Sequence, residues 1–330
     1  MQAKVALVFV FNHRYDRNIA LLEEIYKRRF SNIFYLVPFY DGDKANVIPV
    51  YESSFYFHGY MAQGLKHYFS EEFEHYLFVA DDLVLNPAIN ENNYKQFFNL
   101  SSETSFIPEI FELHKLSNNN TLHFENFKAS PGNPNKFYWW RIKDVVKYRH
   151  EKEGTEIKNE MPPFSEAKAA LQKHGFSITP LSYQDVWGGI FPFSIRSHQQ
   201  RRHLAKYLLH MRSLRKQFHL SYPLVGSYSD LVIVAGASIK KFCKYCGAFA
   251  ANELFVEFAV PTALLLASEN VITELQLDKR GDIYWTYTSE SSAHYEGQMQ
   301  QYHYNLQELL SNFPADKLYI HPIKLSKWKM

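Results

Sequence analysis

The stretch YLFVADDLVLNP, Tyr76–Pro87, runs five apolar or aromatic residues straight into two adjacent aspartates. A continuous run of this kind is the signature of a strand buried on both faces. Ending it with side-by-side carboxylates costs stability, because like charges repel, unless something positive arrives to neutralise them. A divalent cation carrying phosphate oxygens meets that need: Mg²⁺ or Mn²⁺ is often held by one or two carboxylates plus phosphate. The plainer reading is an Asp capping the following turn beside a solvated neighbour.

The flanking sequence repeats the pattern. Lys4–Phe11 (KVALVFVF) and Asn32–Pro38 (NIFYLVP) are further apolar runs with strand character. Between the runs, Asn18–Phe30 has helical spacing, with Ile19, Leu22 and Ile25 on one side, and His58–Phe69 reads as a second helix. Alternating strands and helices predict an α/β fold with a parallel sheet. Ligands of such sheets bind beyond the carboxyl ends of the strands. Polar clusters stand at those ends: NHRYDRN (Asn12–Asn18), YDGD (Tyr40–Asp43) and Asp81–Asp82.

Farther along, residues 90–180 are less regular. Ser117–Asn120 and Ser130–Asn135 are expected loops, and KFYWWRIKDVVKY (Lys136–Tyr148) an aromatic strand. Residues 195–218 read as an amphipathic basic helix. Leu231–Ala235 is a short strand, Ser238–Ala250 a helix, Gly247–Ala267 buried helix and Lys317–Leu325 the last strand. There are no internal repeats.

Composition bounds the function. The chain has 330 residues, 46% of them hydrophobic and 17% aromatic, enough for a sizeable core in one large domain or two intimately packed ones. A net charge of +2 gives no global attraction to nucleic acid. Cys243 and Cys246, the two cysteines, exclude a disulfide framework and make a reducing cytoplasm the expected compartment. The N-terminus lacks the h-region and cleavage site of a secretory signal. Asn252, Glu253, Glu257 and Pro261 interrupt the most apolar long stretch, so it is not expected to span a membrane.

At the two aspartates the chain resembles a family. LFVADDLVLNP is similar to the metal-site strand of GT-A-type glycosyltransferases, closest to those with an acidic EDDL version of the DxD motif. VFVFNHRYDRN resembles their first nucleotide-binding strand and loop, and FYLVPFYDG the second. The likeness covers residues 1 to about 90 in organisation, and 220–330 more loosely. Ala80 stands where the acidic version has a third acid. The resemblance implies a single GT-A-like domain with a mixed, mostly parallel sheet flanked by helices. Residues 1–90 would form the nucleotide-binding half and 91–330 the acceptor-binding half. It implies that Asp82 binds the Mn²⁺ or Mg²⁺, and that Asp81 contacts the ribose or assists the metal. Asn12, His13, Arg14 and Asp41 would surround the nucleotide of a UDP-sugar donor.

A second acidic pair, Glu253 and Glu257, lies in an almost wholly apolar segment. Spaced four apart on a helix, the two share a face. Desolvation and mutual repulsion would raise their pKa values, as suits a general base acting on a sugar hydroxyl near neutral pH. Pro261 would clash with the Glu257 carbonyl and puts Glu257 at a helix end or break. Pairing with buried Arg or Lys is the structural alternative, and Asp230 and Asp185 are rivals for the role. A carboxylate on a late helix also matches, by resemblance, the base of inverting GT-A enzymes. With retention of configuration its role would differ.

Near the end, His321 and Lys324 follow an apolar strand start. By the same resemblance, His321 would be a further metal ligand and Lys324 would neutralise the departing diphosphate. A hydrogen-bonded structural histidine is the alternative. Cys243 and Cys246 fall on helical spacing with Ile239 and Phe242 and are expected in the core. The run of seven Arg and Lys within Arg196–Lys216 reads as a solvated helix face, or as contact with an anionic acceptor or the inner membrane surface. Trp139, Trp140, Trp187 and Trp285 are core residues by default, or a sugar-stacking platform.

The expectation is a cytoplasmic, metal-dependent glycosyltransferase acting on a glycan or glycolipid, as in surface polysaccharide synthesis, with possible peripheral membrane contact through residues 196–216 and no nucleic-acid partner. A sugar-nucleotide pyrophosphorylase is one alternative, disfavoured because FNHRYDRN has no glycine to cradle phosphates. A non-catalytic carbohydrate-binding protein is the other, and it would need no metal.

Overall fold

A computed structural model describes residues 4–112, 157, 159–178, 222–284 and 289–329. In chain order its first half contains β1 (Lys4–Val10), α1 (Asp16–Tyr26), β2 (Asn32–Pro38), β3 (Val47–Val50), α2 (His58–Tyr68), β4 (Phe73–Ala80), β5 (Val84–Leu85), the single turn α3 (Tyr94–Phe97), β6 (Thr104–Phe106) and β7 (Phe111–Glu112). The second contains α4 (Phe164–Lys173), β8 (Val225–Gly226), β9 (Leu231–Ala235), α5 (Ile239–Ala251), α6 (Val256–Ala267), β10 (Asn270–Ile272), β11 (Arg280–Ile283), α7 (Ser289–Gln300), α8 (Leu306–Ser311) and β12 (Lys317–His321).

Seven strands form the central sheet in the order β3-β2-β1-β4-β9-β6-β10. All its pairings are parallel except those of β9, which runs against both β4 and β6. The fold is therefore α/β with a mixed, mostly parallel sheet flanked by helices. The central strands are the apolar runs of the sequence. Residues 5–11 are buried throughout, and β4 and β9 are buried almost end to end. Each such Val, Leu, Ile or Phe contributes about 1.5–3 kcal/mol when withdrawn from water.

Two apolar clusters cover the two faces. On one, α2, α5 and α6 pack over Val8, Leu36 and Phe78. On the other, α1 and the carboxyl-terminal segment pack over Leu7, Phe9 and Leu77. Cys243 and Cys246 lie in the first cluster, with Cys243 Sγ 3.3 Å from the Tyr68 hydroxyl.

A second sheet of three strands, β11-β12-β5, matters for the site. β12 runs parallel to β11 and antiparallel to β5, pairing Tyr319 with Leu85 and Ile320 with Val84. β12 thus zips onto Val84 and Leu85, one residue beyond the aspartates. It ends at His321, and Leu325 belongs to a 3₁₀ turn (Leu325–Lys327) rather than to the strand.

Gly247–Ala267 is two helices rather than one. α5 stops at Ala251, and Glu253 adopts the left-handed conformation with φ 57°. α6 starts at Val256 and carries Pro261 inside it. Proline has no N–H to give to the carbonyl four residues back. That carbonyl, of Glu257, accepts instead from the Ser227 N–H at 2.9 Å. Among the described residues no helix is long and apolar enough to cross a membrane. The aromatic strand Lys136–Tyr148, the loops at 117–120 and 130–135, Asp185, the four tryptophans and the basic segment 196–216 lie outside the described residues.

Candidate metal and phosphate site

The sheet order reverses between β1 and β4: β2 and β3 lie to one side of β1, later strands beyond β4. Chain connections leave on opposite sides of this switch point and open a crevice at the carboxyl ends. Val10 and Ala80 are register partners there, and the Asp81 N–H donates to the Val10 carbonyl at 3.1 Å. The two aspartates therefore emerge beside the loop that follows β1.

Their environments differ. Asp81 is buried, and its Oδ2 accepts from the Asn18 side-chain amide at 3.3 Å. Burial, reinforced by the Asp82 charge, pushes its carboxyl up to about 7, against the hydrogen bonds from Asn18 and the Asn12 backbone. Asp82 is half-buried, with Oδ1 3.2 Å from His321 Nε2. Desolvation opposes its charge, yet the carboxyl is held below the usual range by the His321 imidazolium and, farther off, Lys324. Desolvation likewise opposes the imidazolium, and Asp82, Asp230 and Asp81 raise its pKa in return.

The Asp82–His321 contact is an ion pair without hydrogen-bond geometry. Asp82 Oδ1 and His321 Nδ1 are both buried without a hydrogen-bond partner among the described residues. An ion held by Asp82 Oδ1 and His321 Nε2 would satisfy the buried carboxylate oxygen and would require the imidazole to give up its proton. Two donors at right angles on an ion with bonds of about 2.1 Å stand about 3 Å apart. The pair has close to that spacing. A carboxylate with an imidazole suits Mn²⁺ better than Mg²⁺, which prefers oxygen throughout. Among the described residues no group of three His, Cys, Asp or Glu converges as a metal cage. A bound ion would take its other ligands from phosphate and water.

Backbone bonds fix the pair. The Ile323 N–H donates to the Asp82 carbonyl at 2.6 Å, and the Tyr284 N–H to the His321 carbonyl at 2.8 Å. The Tyr228 ring meets the His321 ring edge-on at 5.4 Å. Lys324, three residues past His321, lines an open pocket of about 570 Å³ together with Lys327, Tyr295 and Trp328.

The remaining predicted residues divide. Arg14 and Asp41 come together in an exposed ion pair, and Arg14 also donates to the Phe39 carbonyl at 3.0 Å. This links the loop after β1 to the end of β2. Arg14 holds the Asp41 carboxyl below its ordinary range. His13 is exposed, its ring edge-on to Tyr15 at 5.7 Å. Glu253 and Glu257 do not share a helix face. Glu253 is exposed in the α5–α6 linker, and Glu257 is buried in the first turn of α6. The expectation failed because the apolar run from Gly247 hides the turn at Asn252–Phe255. As Pro261 predicted, Glu257 stands at a helix end.

Asp230 gains prominence. Because β9 is antiparallel, its amino end lies at the carboxyl end of β4, and the Ala80 N–H donates to the Asp230 carbonyl at 2.8 Å. A parallel reading would have sent Asp230 to the opposite edge. Asn18 and Lys327 were not singled out from sequence. The polar cluster after β1 was the available signal for Asn18, while Lys327 had none. No family model, curated protein or solved structure matches this chain.

Proposed function

We propose that this protein is a Mn²⁺-dependent glycosyltransferase of GT-A type, moving a sugar from a nucleotide-sugar donor, a UDP-sugar in the first instance, to a glycan or glycolipid hydroxyl. The observation that carries the proposal is the Asp82–His321 pair, Oδ1 and Nε2 3.2 Å apart with the buried Oδ1 lacking a hydrogen-bond partner among the described residues, at the switch point of a mostly parallel sheet. The strand order, with one reversed strand, supports the GT-A assignment.

Asp82 and His321 would hold the ion, which when bound supplies positive charge for the donor diphosphate. Lys324 adds an ammonium on the same side and stabilises negative charge as the leaving group departs. Asn12, Arg14 and Asp41 would border the nucleotide, and Asp81, held by the Asn18 amide, would contact the ribose or assist the metal. Asp230 is the carboxylate we assign to take the acceptor proton, because it shares the strand edge with Asp82. Glu257, anchored through Ser227, is the second assignment.

The test is calorimetric titration of UDP, GDP and CMP into the wild-type chain and Asp82→Asn, with and without Mn²⁺. Binding of UDP that needs both Mn²⁺ and Asp82 supports the proposal. Folded wild-type protein that binds none of the three overturns it.

A further inference from the structure

The guanidinium of Arg29, three residues past the end of α1, has an unusual set of partners. Nε donates to the Ile89 carbonyl at 2.8 Å, and Nη2 to the Asn86 carbonyl at 2.6 Å, with the Leu85 carbonyl 3.5 Å away. Its carbon sits 4.7 Å from the centre of the Tyr26 ring. The partners are carbonyls and an aromatic face, and together they embrace the turn leaving β5. The Tyr26 hydroxyl accepts from the Leu85 N–H at 2.9 Å, and the Arg29 carbonyl accepts from the Glu91 N–H at 2.9 Å.

Asn86 carries the restraint onward to β12. Its N–H donates to the Leu318 carbonyl at 2.8 Å and its side-chain amide to the Lys317 carbonyl at 2.7 Å. α1, β5 and β12 are thus locked at one point. Asp82 stands three residues before Leu85, and His321 three residues after Leu318. Both members of the candidate metal pair hang from this lock, one on each strand. Arg29 is only partly buried, yet withdrawing an arginine from water without a carboxylate partner still has a cost, and desolvation lowers its pKa accordingly. A loop needed only to close a surface turn gives no reason for that cost.

We propose that Arg29 is a positioning residue for the metal site: it clamps the β5 turn so that Asp82 and His321 keep the separation a divalent ion requires. The inference rests on the metal-dependent reading above. Its test uses the full chain with saturating UDP and measures free Mn²⁺ by electron paramagnetic resonance, giving both affinity and stoichiometry. Tyr26→Phe, which removes only the hydroxyl on Leu85, accompanies Arg29→Met in case the latter fails to fold, and Arg29→Lys tests rescue. The expected result is one site per folded chain with Mn²⁺ affinity reduced about tenfold in Arg29→Met, as for outer-shell partners generally. Tyr26→Phe should fall between it and wild type, and Arg29→Lys should recover part of the loss. A lower stoichiometry at unchanged affinity makes Arg29 merely structural and overturns the inference, as does unchanged binding in both Arg29→Met and Tyr26→Phe. Wild-type protein that binds no Mn²⁺ overturns the proposed function and this inference with it. If wild type binds and only the clasp variants are unaffected, the proposed function stands alone.

Discussion

Asp82 Oδ1 lies 3.2 Å from His321 Nε2, although one belongs to the first quarter of the chain and the other to its last ten residues. Each removes the other's isolation, and neither is fully satisfied. His321→Ala should leave the fold intact and weaken Mn²⁺ binding by more than the roughly 10–100-fold typical of outer-shell changes. Mn²⁺ titration with circular dichroism as a folding control checks this. Unchanged Mn²⁺ affinity would remove His321 from the ligand set.

Under the proposed transfer reaction, proton removal from the acceptor would separate the roles of the carboxylates. A positioned general base contributes about 10²–10⁴-fold. Asp230→Asn should cut turnover within that range while UDP affinity stays within about twofold. Glu257→Gln should cut it less, because Ser227 holds the Glu257 main-chain carbonyl, which the substitution leaves in place. Steady-state rates beside donor-binding isotherms decide, and a larger loss in Glu257→Gln would transfer the role to Glu257.

His58 offers a pH test away from the site. It is fully buried at the start of α2. Burial pushes its imidazole down to about 3, against a small opposing influence of the Phe249 backbone. Between about 6.5 and about 3 the unfolded chain binds a proton that the folded chain refuses. This contribution to stability is complete above about 6.5 and is lost as pH falls toward 3. Thermal midpoints of wild type should decline across that window, and those of His58→Met should decline less. Parallel curves would assign the acid sensitivity elsewhere.

Gly281 in β11 lies against the Tyr319 ring of β12, where an added Cβ would collide with the ring. Tyr319 cannot swing away freely, because its hydroxyl donates to Glu274 at 2.6 Å inside the core. Gly281→Ala should destabilise by about 1–3 kcal/mol, the usual cost of overpacking, and displace β12 enough to weaken Mn²⁺ binding. Chemical denaturation and Mn²⁺ titration measure the two effects separately.

The long elements were readable from the sequence because each has a plain physical cause. The apolar runs at residues 4–11, 32–38, 76–80 and 231–235 are what strands buried on both faces require, and they fall in β1, β2, β4 and β9, with β4 starting earlier, at Phe73. The aspartate pair followed from strand and charge alone. The short strands β3, β5, β10 and β11 did not stand out, because two to four residues carry no period and β3 contains Pro49. The reversed direction of β9 left no local mark, since LVIVA reads the same in either orientation. That reversal brings Asp230 to the crevice. Glu253 was misplaced for the converse reason: an apolar composition continued through a turn that the helices did not.

The β12–β5 pairing joins the end of the chain to its first quarter, so closure of the site requires a contact of high sequence separation, slow to form by loop-closure entropy. During synthesis Asp82 waits, with its strand in place, until Lys317–His321 has been made. A chain truncated before Lys317 could build much of the large sheet and still lack the second half of the pair. Mn²⁺ uptake would then serve as a reporter of completed folding, distinguishing full-length native molecules from truncated or half-docked ones in the same preparation.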